Sequence, residues 1–514
     1  MSKPTMTIAS MGHPQHGKSS LMGVLATGLR REKGLEELLR AVEKKVVELN
    51  TPKLRYALVF DLPKADFALQ ERSLREGTPS KTFSRLPGWL GCTIAGTPAM
   101  LVDEPGHTQF LKHIVGATLR TDVGVLVLDT KAFLEDYERT TSEFGEDCFE
   151  RRYGRRGQEV PFMLHLDRQR RELAARAGRH GGQKPRRQRW NPQVCATILN
   201  YMALVEIFSM PHVIVAVHQL DRAGFREEVF RHALERFEKM TAFLKLGCEL
   251  SFVPTAVLAE DSANHNVTRR SQSTKWYAGP TVAEHLERIA TEAPARAPGD
   301  GPLRMEVDRF ALGSRRPGHW PPPRVFGRID SGSVAKGDLV AFLPAGVEAR
   351  VKDVRLRDPG TYVLEDPYWD RAAPALERAQ AGTYVSLALG GKDLERVLDS
   401  RHHHWLGQIM CHPEEAPKVA RRWRARVMIV PPWWCEDQMG AVNVLIGYRR
   451  IPCQLDSWQP GRDSAWWQSM VVEIAAETGV AVDTYQPGSP LGRIVIERES
   501  FMVAGGTISE ILPG

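Results

Sequence analysis

A chain of 514 residues exceeds one ordinary core; at about 100–200 residues per domain it should divide into roughly three. Hydrophobic residues at 42% and charged residues at 25% describe a soluble globular protein, and no apolar run nears the ~20 residues of a membrane span. The net charge of +7 favours an anionic partner such as a nucleotide or RNA, while seven cysteines without a C-x-x-C pair exclude a zinc or disulfide framework and favour a reducing cytoplasm.

In chain order, Met6 to Met11 is apolar and β-rich, with none of the long apolar stretch of a secretory signal. A glycine-containing turn leads into a helix from Lys18 to Leu29. A second helix runs from about Gly34 to Leu49, with Leu35, Leu38, Leu39, Val42, Val46 and Val47 at helical spacing. A strand from Ala99 to Val102 ends in Asp103, and Phe110 to Ala117 reads as a helix. Apolar strands follow at Val123 to Leu128, Val213 to Val217 and Phe252 to Pro254. Strands alternating with helices predict a parallel sheet covered on both faces.

Between two of these strands, about Glu150 to Trp190, lies a basic stretch carrying RRYGRRG, RQRR and KPRRQRW. It reads as a basic insertion, open to RNA contact or to a merely solubilising role. APARAPGDGP, Ala293 to Pro302, is a linker. Beyond it, short β-like runs separated by glycine predict β-barrels: Arg324 to Ile329, Leu339 to Phe342, Ala349 to Val354, Thr383 to Leu389, Arg424 to Val430 and Gly492 to Glu497. The expected division is therefore 1–292, the linker 293–302, a first barrel over 303–412 and a second over 413–514.

Gly12-His13-Pro14-Gln15-His16-Gly17-Lys18-Ser19 fits G-x-x-x-x-G-K-[ST]. Gly12 and Gly17 permit turns that bring successive backbone N–H groups onto phosphate oxygens, and the following helix adds its positive end. Lys18 supplies a point charge for β- and γ-phosphates, and the Ser19 hydroxyl is a Mg²⁺ ligand. At the end of a later strand, Asp103-Glu104-Pro105-Gly106-His107 places an acidic residue that can hold Mg²⁺ and a glycine whose N–H can meet the γ-phosphate.

GHPQHGKSS, DEPGHTQFLKHIVGA and VGVLVLD together resemble the translation-factor GTPases of the elongation factor Tu type, a group that includes the archaeal and eukaryotic counterparts and the GTPase subunit of bacterial ATP sulfurylase. TKWYAGPTVAEHL resembles the segment that closes the family's GTPase domain. RVFGRIDSGSVAKGDLVAFLP resembles the start of its second domain. GQIMCHPEEAP and PLGRIVIERESFMVAGGTI resemble the start and end of its third. The resemblance implies an α/β P-loop GTPase domain followed by two all-β barrel domains, binding GTP or GDP with Mg²⁺.

It also implies residue roles. Gly12, His13, Gln15, His16, Gly17, Lys18, Ser19 and Ser20 would surround the phosphates, Gly106 would sense the γ-phosphate, and His107 would orient the attacking water. Ser19, Asp103 and a switch threonine would serve Mg²⁺; Thr82 and Thr78 both qualify, and spacing to Asp103 prefers Thr82. The guanine-reading N-K-x-D of the family stands here as His218-Gln219-Leu220-Asp221. Asp221 can still accept from guanine, but His218 and Gln219 replace the amide and the lysine stem. Thr255 and Ala256 occupy the later base-contacting segment.

The expected activity is hydrolysis of GTP to GDP and phosphate, by a nucleotide-dependent switch acting on a ribosome or tRNA. A regulatory subunit of a metabolic enzyme and a degenerate nucleotide-binding scaffold are the alternatives. His402 to His404 read as surface residues, and Trp433, Trp434, Trp466 and Trp467 as barrel packing; no membrane association is expected.

Overall fold

The computed structural model describes residues 5–29, 33–62, 71, 88–106, 110–144, 194–244, 246–258, 264–292, 301–311, 323–356, 374–391, 407–429, 440–460, 470–486, 491–498 and 501–513. Thr78, Thr82, His107, the basic insertion 150–190, linker residues 293–300, His402 to His404 and the four barrel tryptophans lie outside these residues.

The first unit is built on a sheet of order β2-β3-β1-β4-β5-β6. Its strands are β1 (Met6–Met11), β2 (Gly88–Ile94), β3 (Thr97–Asp103), β4 (Val123–Asp129), β5 (His212–His218) and β6 (Glu249–Pro254). β1 pairs in parallel with β3 and β4, β4 with β5, and β5 with β6. β1 and β4 are buried throughout, which is why MTIASM and VGVLVLD read as continuous apolar runs. β2 is an antiparallel edge strand. It reaches β3 through Ala95 and Gly96, both at positive φ (48° and 76°), the backbone a tight hairpin needs.

Helices cover both faces. The core on one side takes in α1 (Lys18–Gly28), α2 (Lys33–Leu49) and α3 (Arg55–Asp61); Leu38, Leu39, Val42 and Val46 of α2 face it as their spacing predicts, whereas Val47, expected on the same face, is exposed. The other side takes in α4 (Leu111–Thr118), α5 (Thr130–Phe144), α6 (Val194–Ile207) and α7 (Glu227–Thr241). The closing helix α8 (Val282–Glu292) starts at a reciprocal cap. The Glu284 N–H donates to Thr281 Oγ1 (3.1 Å), and the Thr281 N–H donates to Glu284 Oε2 (2.7 Å).

Two all-β barrels follow. The first uses β7 (Arg304–Glu306), β8 (Arg324–Ser331), β9 (Leu339–Leu343), β10 (Val347–Leu356), β11 (Tyr384–Gly390) and β12 (Ile409–Cys411). The sheet runs β8-β11-β10-β9-β12-β7 and closes because β7 also pairs with β8. The second is a closed ring of β13 (Lys418–Ile429), β16 (Met470–Val482), β15 (Arg449–Pro460), β14 (Gly440–Ile446), β17 (Arg493–Arg498) and β18 (Phe501–Leu512). Several strands that the chain-order reading did not single out contain a glycine or proline, as Pro452 in β15 and Gly505-Gly506 in β18. Such residues look like breaks in a linear pattern.

The three units share apolar contacts. Leu445, Val495 and Met502 of the second barrel join the core around α4 and α6. Tyr384 of the first barrel packs with Ala9, Met100, Val102 and Ala117 of the α/β unit, and the Thr5 N–H donates to the Gly382 carbonyl at 3.0 Å. Among the described residues no helix is long and apolar enough to cross a membrane.

Candidate functional site

The parallel strands share a direction, so their carboxyl ends line one edge of the sheet, the usual place for ligands in such folds. β1 delivers Gly12, β3 Asp103, β4 Asp129, β5 His218 and β6 Thr255 to that edge. Residues scattered through the chain thereby meet.

The loop after β1 depends on its glycines. Gly12 sits at φ 130°, and a Cβ there would lie 2.5 Å from the Val127 carbonyl oxygen. Gly17 caps α1 at φ 91°, and a Cβ there would lie 2.8 Å from His218 Nε2. No side chain caps α1, which leaves its first N–H groups to a ligand. Lys18, 6% exposed, donates from Nζ to the His13 carbonyl (3.1 Å), curling the loop over the ammonium. Gln15 is exposed in the left-handed region (φ 65°), so its backbone, more than its side chain, shapes the loop. Ser20 follows Ser19 in the first turn of α1.

The acidic end of β3 meets this loop. Ser19 donates to Asp103 Oδ2 (2.8 Å) and Ser10 to Asp103 Oδ1 (3.1 Å). Gly106 approaches so closely that a Cβ there would fall 2.2 Å from Lys18 Nζ. A hydroxyl and a carboxylate oxygen side by side are a hard-oxygen donor set suited to Mg²⁺, which takes few protein ligands and fills its shell with phosphate and water. The described residues contain no cluster of three or more His, Cys, Asp or Glu side chains that would hold a metal alone.

Burial, with His13, Lys18 and His218 adding to it, lowers His16 to about 2. Its Nδ1 accepts from the Asp129 N–H at 3.4 Å, tying the loop to β4; the His13 and His16 rings lie 4.8 Å apart. Burial, assisted by Arg222, lowers His218 to about 4. His218 Nδ1 hydrogen-bonds Thr255 Oγ1 (3.0 Å), while its backbone carbonyl accepts from Thr130 Oγ1 (2.7 Å). The next residue, Gln219, takes φ 58°, and Asp221 follows in the short turn Leu220–Ala223. The Leu220 N–H reaches the Thr255 carbonyl at 3.3 Å, joining this turn to the Thr255 segment. Ala256 is buried in a two-residue strand paired with His265.

Motif reading missed Ser10 and Glu104. Glu104 is 1% exposed; its N–H donates to Ser10 Oγ (3.1 Å) and its Oε1 accepts from Thr118 (3.0 Å). Burial pushes its carboxyl well above the usual range, against the pull of Thr118 and Lys18. Its place inside D-x-x-G was visible, but its partner lies across a helix.

Residues 3–146 match the elongation factor Tu GTP binding domain, and nearly the whole chain aligns with elongation factor 1-alpha of archaea. With that of Metallosphaera sedula it is 23% identical over 535 residues, covering 99% of this chain and 98% of that protein. Residues 3–146 thus carry a GTP binding domain of the elongation factor Tu type. Elongation factor 1-alpha of Saccharolobus solfataricus is 24% identical to this chain, with the same coverage. The Saccharomyces cerevisiae Ski7 GTPase-like domain bound to GTP has the same fold, with a TM-score of 0.65 at 13% identity, covering 99% of this chain and 98% of that one. Translation elongation factor SelB from Methanococcus maripaludis in complex with GppNHp gives a TM-score of 0.56 at 15% identity, over 100% of this chain and 80% of SelB. A GTP binding domain of this type implies binding of a guanine nucleotide.

Proposed function

We propose that this chain binds GTP with Mg²⁺ and hydrolyses it to GDP and phosphate, through a GTPase domain over 1–292 that acts on two barrels over 303–412 and 413–514. The convergence of Gly12–Ser19, Asp103 and Gly106 at one edge carries the reading, above all the packing of Gly106 against the Lys18 ammonium. Phosphoryl transfer asks the protein for positioning and charge neutralisation more than for covalent chemistry. Here the loop N–H groups and the start of α1 would hold phosphate oxygens, and Lys18 would balance their charge. Ser19 and Asp103, with Thr82 from the switch segment, would hold Mg²⁺, which polarises the bridging and terminal phosphate oxygens when bound. His107 would orient the water. Asp221 would accept from guanine, with Thr255 and Ala256 lining the base.

The partner we infer is RNA, as ribosome or tRNA, in the cytoplasm. The full-length likeness to elongation factor 1-alpha and the +7 charge support this. The deciding experiment is magnesium-dependent turnover of GTP, ATP and XTP, followed by nucleotide-dependent pull-down with RNA and protein both identified. No turnover of any of the three would end the hydrolase reading. A second reading, a nucleotide-binding scaffold with little turnover, is favoured by one observation. A buried, neutral His218 fills the space over Gly17 where the family carries an amide.

A further inference from the structure

The GTPase reading uses Asp103 and Gly106 but not Glu104 between them, nor the charged cluster at the far end of α4. The two are joined. The Ser10 hydroxyl serves both the Asp103 carboxylate and the Glu104 N–H. Glu104 Oε1 accepts from Thr118, the last residue of α4. Two residues on, Arg120 is 6% exposed and turned into the barrels. Its Nε and Nη2 each lie 2.9 Å from Asp330, and its Nη1 lies 2.7 Å from Glu306, both in the first barrel. The Arg120 carbonyl accepts from Arg328 (2.9 Å). The other Glu306 oxygen, Oε1, accepts from the N–H of Tyr448 in the second barrel at 2.7 Å. One carboxylate therefore touches the GTPase unit and both barrels.

We propose that Glu104 and Arg120 are positioning residues that carry the placement of the barrels to Gly106, making the hydrolysis rate depend on how the barrels sit. This rests on the GTPase reading above. The end of α4 is held from two sides, by Glu104 toward the nucleotide and by Arg120 toward the barrels. Glu104 is two residues from Gly106, whose backbone lies against Lys18. A buried ion cluster keeps its charges only while every partner is in place, so barrel movement must either break it or drag the end of α4. In the second case Thr118 moves Glu104, and the D-x-x-G segment shifts relative to the phosphate loop. Binding of the shared diphosphate, made by the loop itself, is left alone.

The test is steady-state GTP turnover and GDP affinity in full-length Glu104→Ala, Glu104→Gln, Glu306→Gln and the double variant Glu104→Ala/Glu306→Gln. Glu104→Ala should lower kcat about tenfold, with KM and the GDP Kd within about threefold. Glu104→Gln, which still offers an oxygen to Thr118, should recover most of that loss. Glu306→Gln should lower kcat about fivefold, and the double variant should be no slower than Glu104→Ala alone, because both cuts open one connection. Unchanged kcat in Glu104→Ala overturns the relay, as do a loss in Glu104→Gln equal to that in Glu104→Ala and a double variant whose losses multiply. The two glutamine variants keep side-chain volume, and thermal unfolding of each protein separates misfolding from lost positioning. Wild-type protein without GTP turnover would overturn the GTPase reading and the relay with it; normal wild-type turnover with unaffected variants would overturn the relay alone.

Discussion

At the scale of single residues, the site rests on groups whose chemistry cannot be exchanged. Lys18 is buried and hydrogen-bonded to the loop it closes. Lys18→Ala removes the ammonium proposed to balance a triphosphate and should weaken nucleotide binding by about a hundredfold or more in calorimetry. His107→Ala should leave affinity near normal while slowing single-turnover hydrolysis about a hundredfold, the size expected for a lost water-positioning group. Equal turnover would take His107 out of the mechanism. Asp221→Asn turns an acceptor toward guanine into a group that opposes its donors, so competition assays should show a shift from GTP to XTP of about a hundredfold. If the ranking of the two nucleotides stays put, the base is read elsewhere, and His218 becomes the first place to look.

At the scale of elements, local sequence explains a helix start better than a helix path. Thr281-Val282-Ala283-Glu284 is a reciprocal cap written in four adjacent residues, and α8 begins there. Thr281→Ala should cost about 1 kcal/mol in denaturant unfolding, and a cost near zero would mean that tertiary packing alone sets that helix. The start of α1 is the opposite case. It has glycine where a capping side chain would stand, and in the proposed site that omission would free its N–H groups for phosphate. The glycine-bent loop Gly12–Ser19 was legible because it lies in eight consecutive residues. The edge strand β2 went unread, since its burial alternates and two glycines interrupt it.

At the scale of the whole molecule, three buried histidines set a pH dependence. Burial first, then His13 and Lys18, lowers His16 to about 2, and burial with Lys112 and Arg450 lowers His113 to about 4; burial and Arg222 lower His218 to about 4. The unfolded chain takes up these protons as pH falls below the ordinary 6.5, and the folded chain does not. Stability is therefore whole above pH 6.5 and is lost on acidification, from 6.5 to about 4 for His113 and His218 and onward to about 2 for His16. Each such proton is worth about 1.4 kcal/mol per pH unit. Thermal unfolding midpoints should fall steadily from pH 6.5 to 5, less steeply in His218→Gln. A flat profile would show that the histidines are not held neutral.

The sequence by itself determined the kind of molecule this is. Contiguous motifs such as Gly12–Ser19 and Asp103–Gly106 point to the proposed phosphate-binding edge, and the change from helical spacing to short glycine-bounded strands announces the barrels. Those signals are readable because each lies within a few residues of chain. Only the tertiary structure decided which distant groups meet: His218 over Gly17, Glu104 on Thr118, and Arg120 between Asp330, Glu306 and, through it, Tyr448. Each of these contacts joins residues brought together by strand order and barrel closure. A single arginine or glutamate in a linear sequence carries no mark of the partner that folding will assign it.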